Sequence, residues 1–211
     1  KPYCFKYPPV DISTSATATC PWQNPLAPPC DRRFAHGLAE VVTGEITMSV
    51  NDTFEGACTC GAIHYRMTSA PLFVHCCHCT WCQRESGAAF ALNAMIESDR
   101  LELLQGEPEL IDTPSNSGKG QLIARCPHCH VALWSHYAGA GKAVAFVRVG
   151  TLREPYRLPP DIHIFTSTKQ PWIMLPPDIP AVAEYYDRNE YWPATSLARR
   201  EALLAVAHRQ A

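Results

Sequence analysis

Ten consecutive residues, His75-Cys76-Cys77-His78-Cys79-Thr80-Trp81-Cys82-Gln83-Arg84, carry four cysteines and two histidines. That density of ligand-type side chains constrains the chain more than any other feature. The spacing Cys77-x-Cys79-x-x-Cys82 sets three thiols within one or two tight turns, close enough to converge on one ion at about 2.3 Å each. A structural zinc site closes its tetrahedron with a fourth protein ligand, which here would come from Cys76, His75 or His78. A site of only three thiolates keeps the open position that catalytic zinc uses.

Two further clusters flank the run: Cys58-Thr59-Cys60 upstream and Cys126-Pro127-His128-Cys129 downstream. Each is half a site. Two-cysteine knuckles far apart in sequence commonly join as one Cys4 zinc site, and pairing Cys58 and Cys60 with Cys126 and Cys129 leaves the central triplet free. The expectation is seven thiolates for two zinc ions. Disulfides are a poor alternative, because Cys-x-Cys rarely bridges and clusters at ligand spacing point to metal in a reducing compartment.

The chain has 211 residues and a formal net charge of −2. That length is ample for one domain with extensions. With Lys and Arg scattered and no basic stripe, neither nucleic acid nor an anionic membrane is an expected partner. No apolar run approaches the ~20 residues of a membrane span, and the first residues lack the apolar core of a signal peptide. A soluble, cytoplasmic protein is expected, of unknown oligomeric state.

Residues 1–38 are proline-rich, carry the unclustered Cys4, Cys20 and Cys30, and show no periodicity, so an irregular N-terminal arm is expected. The central domain is placed at 39–175. Within it short β-type runs follow one another: Val41 to Val50, Ala62 to Met67, Leu72 to Cys76, Ala88 to Ile96, Gln121 to Cys126, Val131 to Tyr137 and Ala143 to Val149. Turn signals such as Ser69-Ala70-Pro71 and Ser115-Asn116-Ser117-Gly118 separate them. Without amphipathic helices between the strands, the expected fold is mainly β, with antiparallel sheets stapled by zinc. A C-terminal extension, 176–211, ends in a helix from Thr195 to His208, capped by Thr195 or Ser196, with Leu197, Leu203, Leu204 and Ala207 on one side.

Several stretches in register resemble the glutathione-dependent formaldehyde-activating enzymes, a family that includes the centromere protein V group. These are Gly56-Ala57-Cys58-Thr59-Cys60-Gly61-Ala62-Ile63, Cys77-His78-Cys79-Thr80-Trp81-Cys82-Gln83-Arg84 with Ser86-Gly87-Ala88, and Arg125-Cys126-Pro127-His128-Cys129 with Leu133. Gly150-Thr151-Leu152, His163-Ile164-Phe165, Lys169 and Trp172 continue the likeness, which covers about residues 45 to 175. It implies a β-tent fold, a structural zinc on the outer pairs, a second zinc on the middle triplet, and glutathione as co-substrate. One departure is His130, where the family usually has glycine after the last cysteine; histidine is among the residues that tolerate positive φ.

Three thiolates bring a zinc site to about −1, which weakens Lewis acidity but still lets the ion capture and deprotonate a thiol. The expected chemistry is carbon–sulfur lyase chemistry: a small-molecule thiol adds to a small aldehyde such as formaldehyde, or leaves a thiohemiacetal. Cys77, Cys79 and Cys82 are the expected catalytic ligands, and His78 could move the thiol proton. Arg84 is the expected contact for a glutathione carboxylate, with Glu85 and Arg125 nearby. The pattern of a zinc base deaminase is missing, since no Glu follows a candidate ligand at the required spacing and the nearest match, Cys126-Pro127-His128-Cys129, has its proline inside the knuckle. A non-catalytic zinc-scaffolded protein-binding module, and an enzyme acting on another thiol or electrophile, stay open.

Overall fold

The structure is a computed structural model that describes residues 52–139 and 141–210. The expected arm at 1–38, its three cysteines and the expected strand at Val41 to Val50 lie outside the described residues. The described chain is mainly β. In order it forms β1 (Phe54–Ala57), β2 (His64–Met67), β3 (Phe73–Cys77), the short helix α1 (Thr80–Ser86), β4 (Ala91–Glu97), β5 (Leu101–Gln105), β6 (Glu109–Thr113), β7 (Gln121–Arg125), β8 (Ala132–Tyr137), β9 (Val144–Arg148) and β10 (Ile162–Ile164). Two helices follow, α2 (Arg188–Tyr191) and α3 (Ala194–Gln210).

The strands build a three-stranded sheet, β1-β2-β5, and a seven-stranded sheet, β10-β3-β4-β9-β8-β7-β6. Every pairing is antiparallel except one. β10 runs parallel to β3, with His163 opposite Cys76, so the large sheet is mixed where a purely antiparallel sheet was expected. A parallel neighbour needs a long crossover, and the chain supplies it between β3 and β10.

Side chains alternate across a strand, and that period of two separates two cores. In β3 and β4, Val74, Ala94 and Ile96 join Phe54, Tyr65 and Met67 of the small sheet, together with Trp134 and Val147. The residues between them, Phe73, Cys77 and Met95, join Ile162, Ile164 and Trp192 in a second core. β3 is buried along its whole length. Tyr65 is fully buried, meets Trp134 edge to face at 5.5 Å, and shares a hydrogen bond of 2.6 Å with the Thr151 hydroxyl. Its register partner is Gly56, where a Cβ would stand 2.3 Å from the tyrosine ring, so only glycine fits there.

Four strands, β1, β5, β6 and β10, and α1 go beyond what the sequence pattern suggests. β5 and β6 are exposed on both faces, and so lack the alternation by which half-buried strands are recognised. β10 is only three residues long.

The C-terminal extension packs onto the second core through Tyr186, Tyr191, Trp192, Leu197 and Leu203. α3 begins one residue before the expected cap. The Pro193 carbonyl accepts the Ser196 and Leu197 N–H groups, and Ser196 is buried within the first turn. Leu204, expected on the packed side, is exposed. Among the described residues no helix is long and apolar enough to cross a membrane.

Arg199 fixes α3 to the sheet. Its guanidinium donates to both oxygens of the buried Glu97, at 2.8 and 2.5 Å, and to the Ala70 carbonyl at 2.9 Å. Removing one partner of a buried pair strands the other charge, at a cost of about 3–5 kcal/mol. Arg199→Met should therefore lower unfolding free energy by about 3 kcal/mol in urea titration. The Glu97→Gln, Arg199→Met double variant should lose less than the sum of the singles.

Candidate metal centres

Two knuckles of like construction bring the first cluster together. The Cys58 N–H donates to the Ile63 carbonyl and the Cys126 N–H to the Val131 carbonyl, each at 3.1 Å, so each first cysteine starts a tight loop closed five residues later. In the second loop His130 has φ 60° and its N–H returns to the Cys126 carbonyl at 2.9 Å; histidine does there what glycine usually does. Sulfur separations are 3.5 Å for Cys58 to Cys60 and 3.6 Å for Cys60 to Cys126, and the four ligand atoms lie within 4.8 Å of one another. Four sulfurs about 2.3 Å from one tetrahedral ion would stand about 3.8 Å apart, so a zinc-sized ion fits this group.

Backbone donors prepare the sulfurs for charge. The Ile63 N–H reaches the Cys58 sulfur at 3.3 Å. Burial raises the Cys129 thiol, but the Val131 and Cys60 N–H groups outweigh it and bring it down to about 6. Cys60 moves the other way, to about 12: its bond from the Ala62 N–H lowers it, but the Cys58 sulfur, burial and the Cys129 and Cys126 sulfurs together outweigh that bond. Sulfurs this close cannot all ionise without a cation between them.

The second cluster joins the end of β3 to α1. Cys77, Cys79 and Cys82 have their sulfurs within 4.8 Å of one another. Cys79 caps α1, accepting the Cys82 N–H at 3.4 Å on its sulfur. Contacts from the Cys77 and Cys82 thiols draw Cys79 far down, and contacts with Cys79 and Cys82 push Cys77 far up, so the trio without a cation holds one thiolate readily. Neither His75, Cys76 nor His78 joins this group. Cys77 is buried, while Cys79 and Cys82 retain part of their surface.

The loop is strapped from outside. Gln83 Nε2 donates to the His78 carbonyl at 2.6 Å and to the Thr168 carbonyl at 2.9 Å, while Thr168 Oγ1 donates to the same His78 carbonyl at 3.1 Å. Gln170 Nε2 completes the strap on Gln83 Oε1 at 2.7 Å.

His78 itself is fully buried, with Nε2 3.0 Å from His163 Nδ1 and 3.6 Å from the Cys76 sulfur. His75 turns to Tyr186, whose hydroxyl lies 2.7 Å from its Nε2. Arg84 stands exposed in the last turn of α1.

One residue further on, Glu85 holds two arginines: Arg125 at 2.5 Å and Arg148 at 2.8 Å. Arg148 also donates to Asn93 Oδ1 at 2.6 Å and to the Ser135 hydroxyl at 3.2 Å, and Arg125 donates to the His130 carbonyl at 3.0 Å. Glu85, Arg125, Arg148, Ser86, Cys129 and His130 line a groove of about 360 Å³ that runs from the second knuckle to α1. Sequence reasoning singled out Glu85 and Arg125 but not Arg148, Asn93, Thr168 or Gln170. Arg148 ends an ordinary apolar strand, and no motif marks it.

A sequence profile of the glutathione-dependent formaldehyde-activating enzymes matches residues 53–168, more than half of the chain. The chain belongs to that family. The matched region contains both thiol clusters, the strapped loop as far as Thr168, and the Glu85 network. No curated protein matches the chain. A crystal structure of a Rhodobacter sphaeroides protein shows a loose likeness, with 19% identity over 47% of this chain and 87% of that chain and a TM-score of 0.36.

Glu85, Arg125 and Arg148 are largely buried, so Glu85 is the counter-charge that makes two arginines tolerable beside the thiols. Glu85→Ala should cost about 3 kcal/mol in chemical denaturation. Glu85→Gln keeps one acceptor but turns a donor toward the other guanidinium and removes the counter-charge, so it should cost about as much.

Proposed function

We propose that this family member is a zinc-dependent carbon–sulfur lyase that joins a thiol, glutathione or a close analogue, to a small aldehyde. The observation that carries the reading is the three-sulfur group of Cys77, Cys79 and Cys82, which no fourth Cys, His, Asp or Glu side chain closes among the described residues. When bound there, zinc would supply a Lewis acid with a free position at which an incoming thiol loses its proton. Sulfur then attacks the aldehyde carbon, the carbon–oxygen double bond becomes a single bond, and the oxygen takes a proton; the reverse breaks the same carbon–sulfur bond.

Cys58, Cys60, Cys126 and Cys129 would hold a closed, structural zinc. It would clasp the turn after β1 to the turn after β7, and the two sheets would be the panels of a β-tent. Gln83, Thr168 and Gln170 keep the reactive loop from shifting, which holds the three sulfurs ready for the ion. The groove beside α1 offers Arg125 and Arg148 to an anionic substrate group, with Glu85 fixing both guanidinium planes. Arg84, exposed on the same helix, adds a mobile positive charge at the rim.

Two experiments test the reading. Reduced glutathione should bind the zinc-loaded protein in calorimetry, and S-methylglutathione at least about tenfold more weakly, because a thioether cannot become a thiolate. Equal affinity, or none for either, favours a non-catalytic zinc module or another thiol.

The second separates the clusters. Structural zinc in small peptides contributes on the order of 10 kcal/mol, against a domain stability of about 5–15 kcal/mol. Cys126→Ser should therefore unfold or aggregate, since it opens a clasp between residues 66 apart in sequence. Cys82→Ser, in a cluster confined to residues 77–82, should stay folded, lose one zinc and lose thiol binding. The opposite pattern in melting curves and zinc content would reverse the two assignments.

A further inference from the structure

Strand alternation sorts the ligand-rich run into two sets. Cys77 and Cys79 lie on one face of the extended chain, toward Cys82, and Cys76 and His78 lie on the other. On that second face the parallel strand β10 places His163 directly opposite Cys76. The result is a third group, Cys76, His78 and His163, with one ligand atom from each lying within 4.8 Å of the others. All three residues are buried, at 2%, 0% and 6% exposure.

We propose that Cys76, His78 and His163 form a third metal site, for a zinc-class divalent cation, separate from the two thiolate clusters. Three observations carry it. First, the separations suit an ion: a zinc with sulfur at about 2.3 Å and nitrogen at about 2.0–2.1 Å in tetrahedral geometry needs sulfur and nitrogen about 3.5 Å apart, and two nitrogens about 3.3 Å apart. Here Cys76 Sγ is 3.6 Å from His78 Nε2, which is 3.0 Å from His163 Nδ1.

Second, hydrogen bonding alone serves the group poorly. His78 Nε2 faces both the Cys76 sulfur and His163 Nδ1, and a neutral ring nitrogen is either donor or acceptor, never both. One cation at the meeting point takes a lone pair from all three atoms.

Third, backbone hydrogen bonds fix the two segments that carry the ligands. The His78 backbone N–H donates to the Ile164 carbonyl at 3.0 Å, the His163 backbone N–H to the Pro180 carbonyl at 2.8 Å, and the His163 carbonyl accepts the Val182 backbone N–H at 2.9 Å. The His78 ring also packs on Phe90, with centroids 5.5 Å apart.

One thiolate and two imidazoles leave a zinc ion with a net charge of about +1, smaller in magnitude than the −2 of a four-thiolate centre. Since the three residues are closed to solvent, the site would hold β3 to β10 rather than turn over substrate. It would also fix the backbone of His78, from which the catalytic loop departs.

Zinc K-edge X-ray absorption of the full zinc-loaded chain tests this, because neither thiolate cluster contains histidine. The spectrum should show imidazole outer-shell scattering, and elemental analysis should find three zinc ions per chain. Cys76→Ala and His163→Asn should each lose one ion and the imidazole signal, and keep the sulfur-ligated zinc. Cys82→Ser should lose one ion and keep the imidazole signal. The proposal is overturned by a wild-type protein with all-sulfur zinc and no imidazole scattering, a result that needs no variant to fold. Imidazole scattering that persists in both Cys76→Ala and His163→Asn would overturn it as well. Neither of these outcomes touches the thiol-binding test of the lyase reading.

Discussion

β3 is buried on both faces, so each side chain along it must find a partner in one core or the other. The pleat decides which. Val74 faces the small sheet, while Phe73 and Cys77 face the C-terminal extension. Two ligand-rich residues, Cys77 and Cys79, follow one face toward α1, and the intervening Cys76 and His78 follow the other toward β10. A slip of one residue in the register with β4 would exchange the two sets, and would put Val74 where Phe73 stacks on Trp192. Hydrophobic burial therefore selects the register, and the register distributes the chemistry.

The same coupling runs between the thiol clusters through charge. The second knuckle gives its His130 carbonyl to Arg125, Arg125 meets Glu85 on α1, and Glu85 meets Arg148, which is tied to Asn93 in β4. A chain of short contacts, exposed at His130 and partly buried at Glu85 and Arg148, thus connects the knuckle after β7 to the helix that carries Cys82. Displacing Glu85 leaves two guanidinium groups without their counter-charge, so the network ties the two clusters together.

Much of this was legible in the sequence. The cysteine spacings picked out the Cys58, Cys60, Cys126, Cys129 group and the Cys77, Cys79, Cys82 group as the sets the fold gathers, because ligand geometry is local and strict. The runs behind β2, β3, β4, β7, β8 and β9 were legible from β-branched and aromatic content. β5 and β6 were not, since strands exposed on both faces carry no alternation, and β10 was too short to stand out. The surroundings of His78 depended on a parallel partner more than eighty residues away, and no local pattern specifies such a neighbour. One signal was available: in a run read as a strand ending at Cys76, alternation already divides residues 75 to 79 into two faces, with Cys76 and His78 together.

Charge gives a reason for the arginines beside the thiols. On the proposed loading a four-thiolate zinc carries about −2 and a three-thiolate zinc about −1, which adds negative potential to a chain whose formal charge is already −2. An anionic substrate such as glutathione would be repelled by that field alone. Arg125 and Arg148, offset by a single Glu85, leave the groove with a net positive charge directly beside the clusters. Glu85, Asn93, Ser135 and the His130 carbonyl hold the two guanidinium groups in place, so a carboxylate entering the groove would meet positive charge that is already oriented. On the proposed function, the Glu85 network would then be the part of the site best able to choose between a charged thiol and a neutral one.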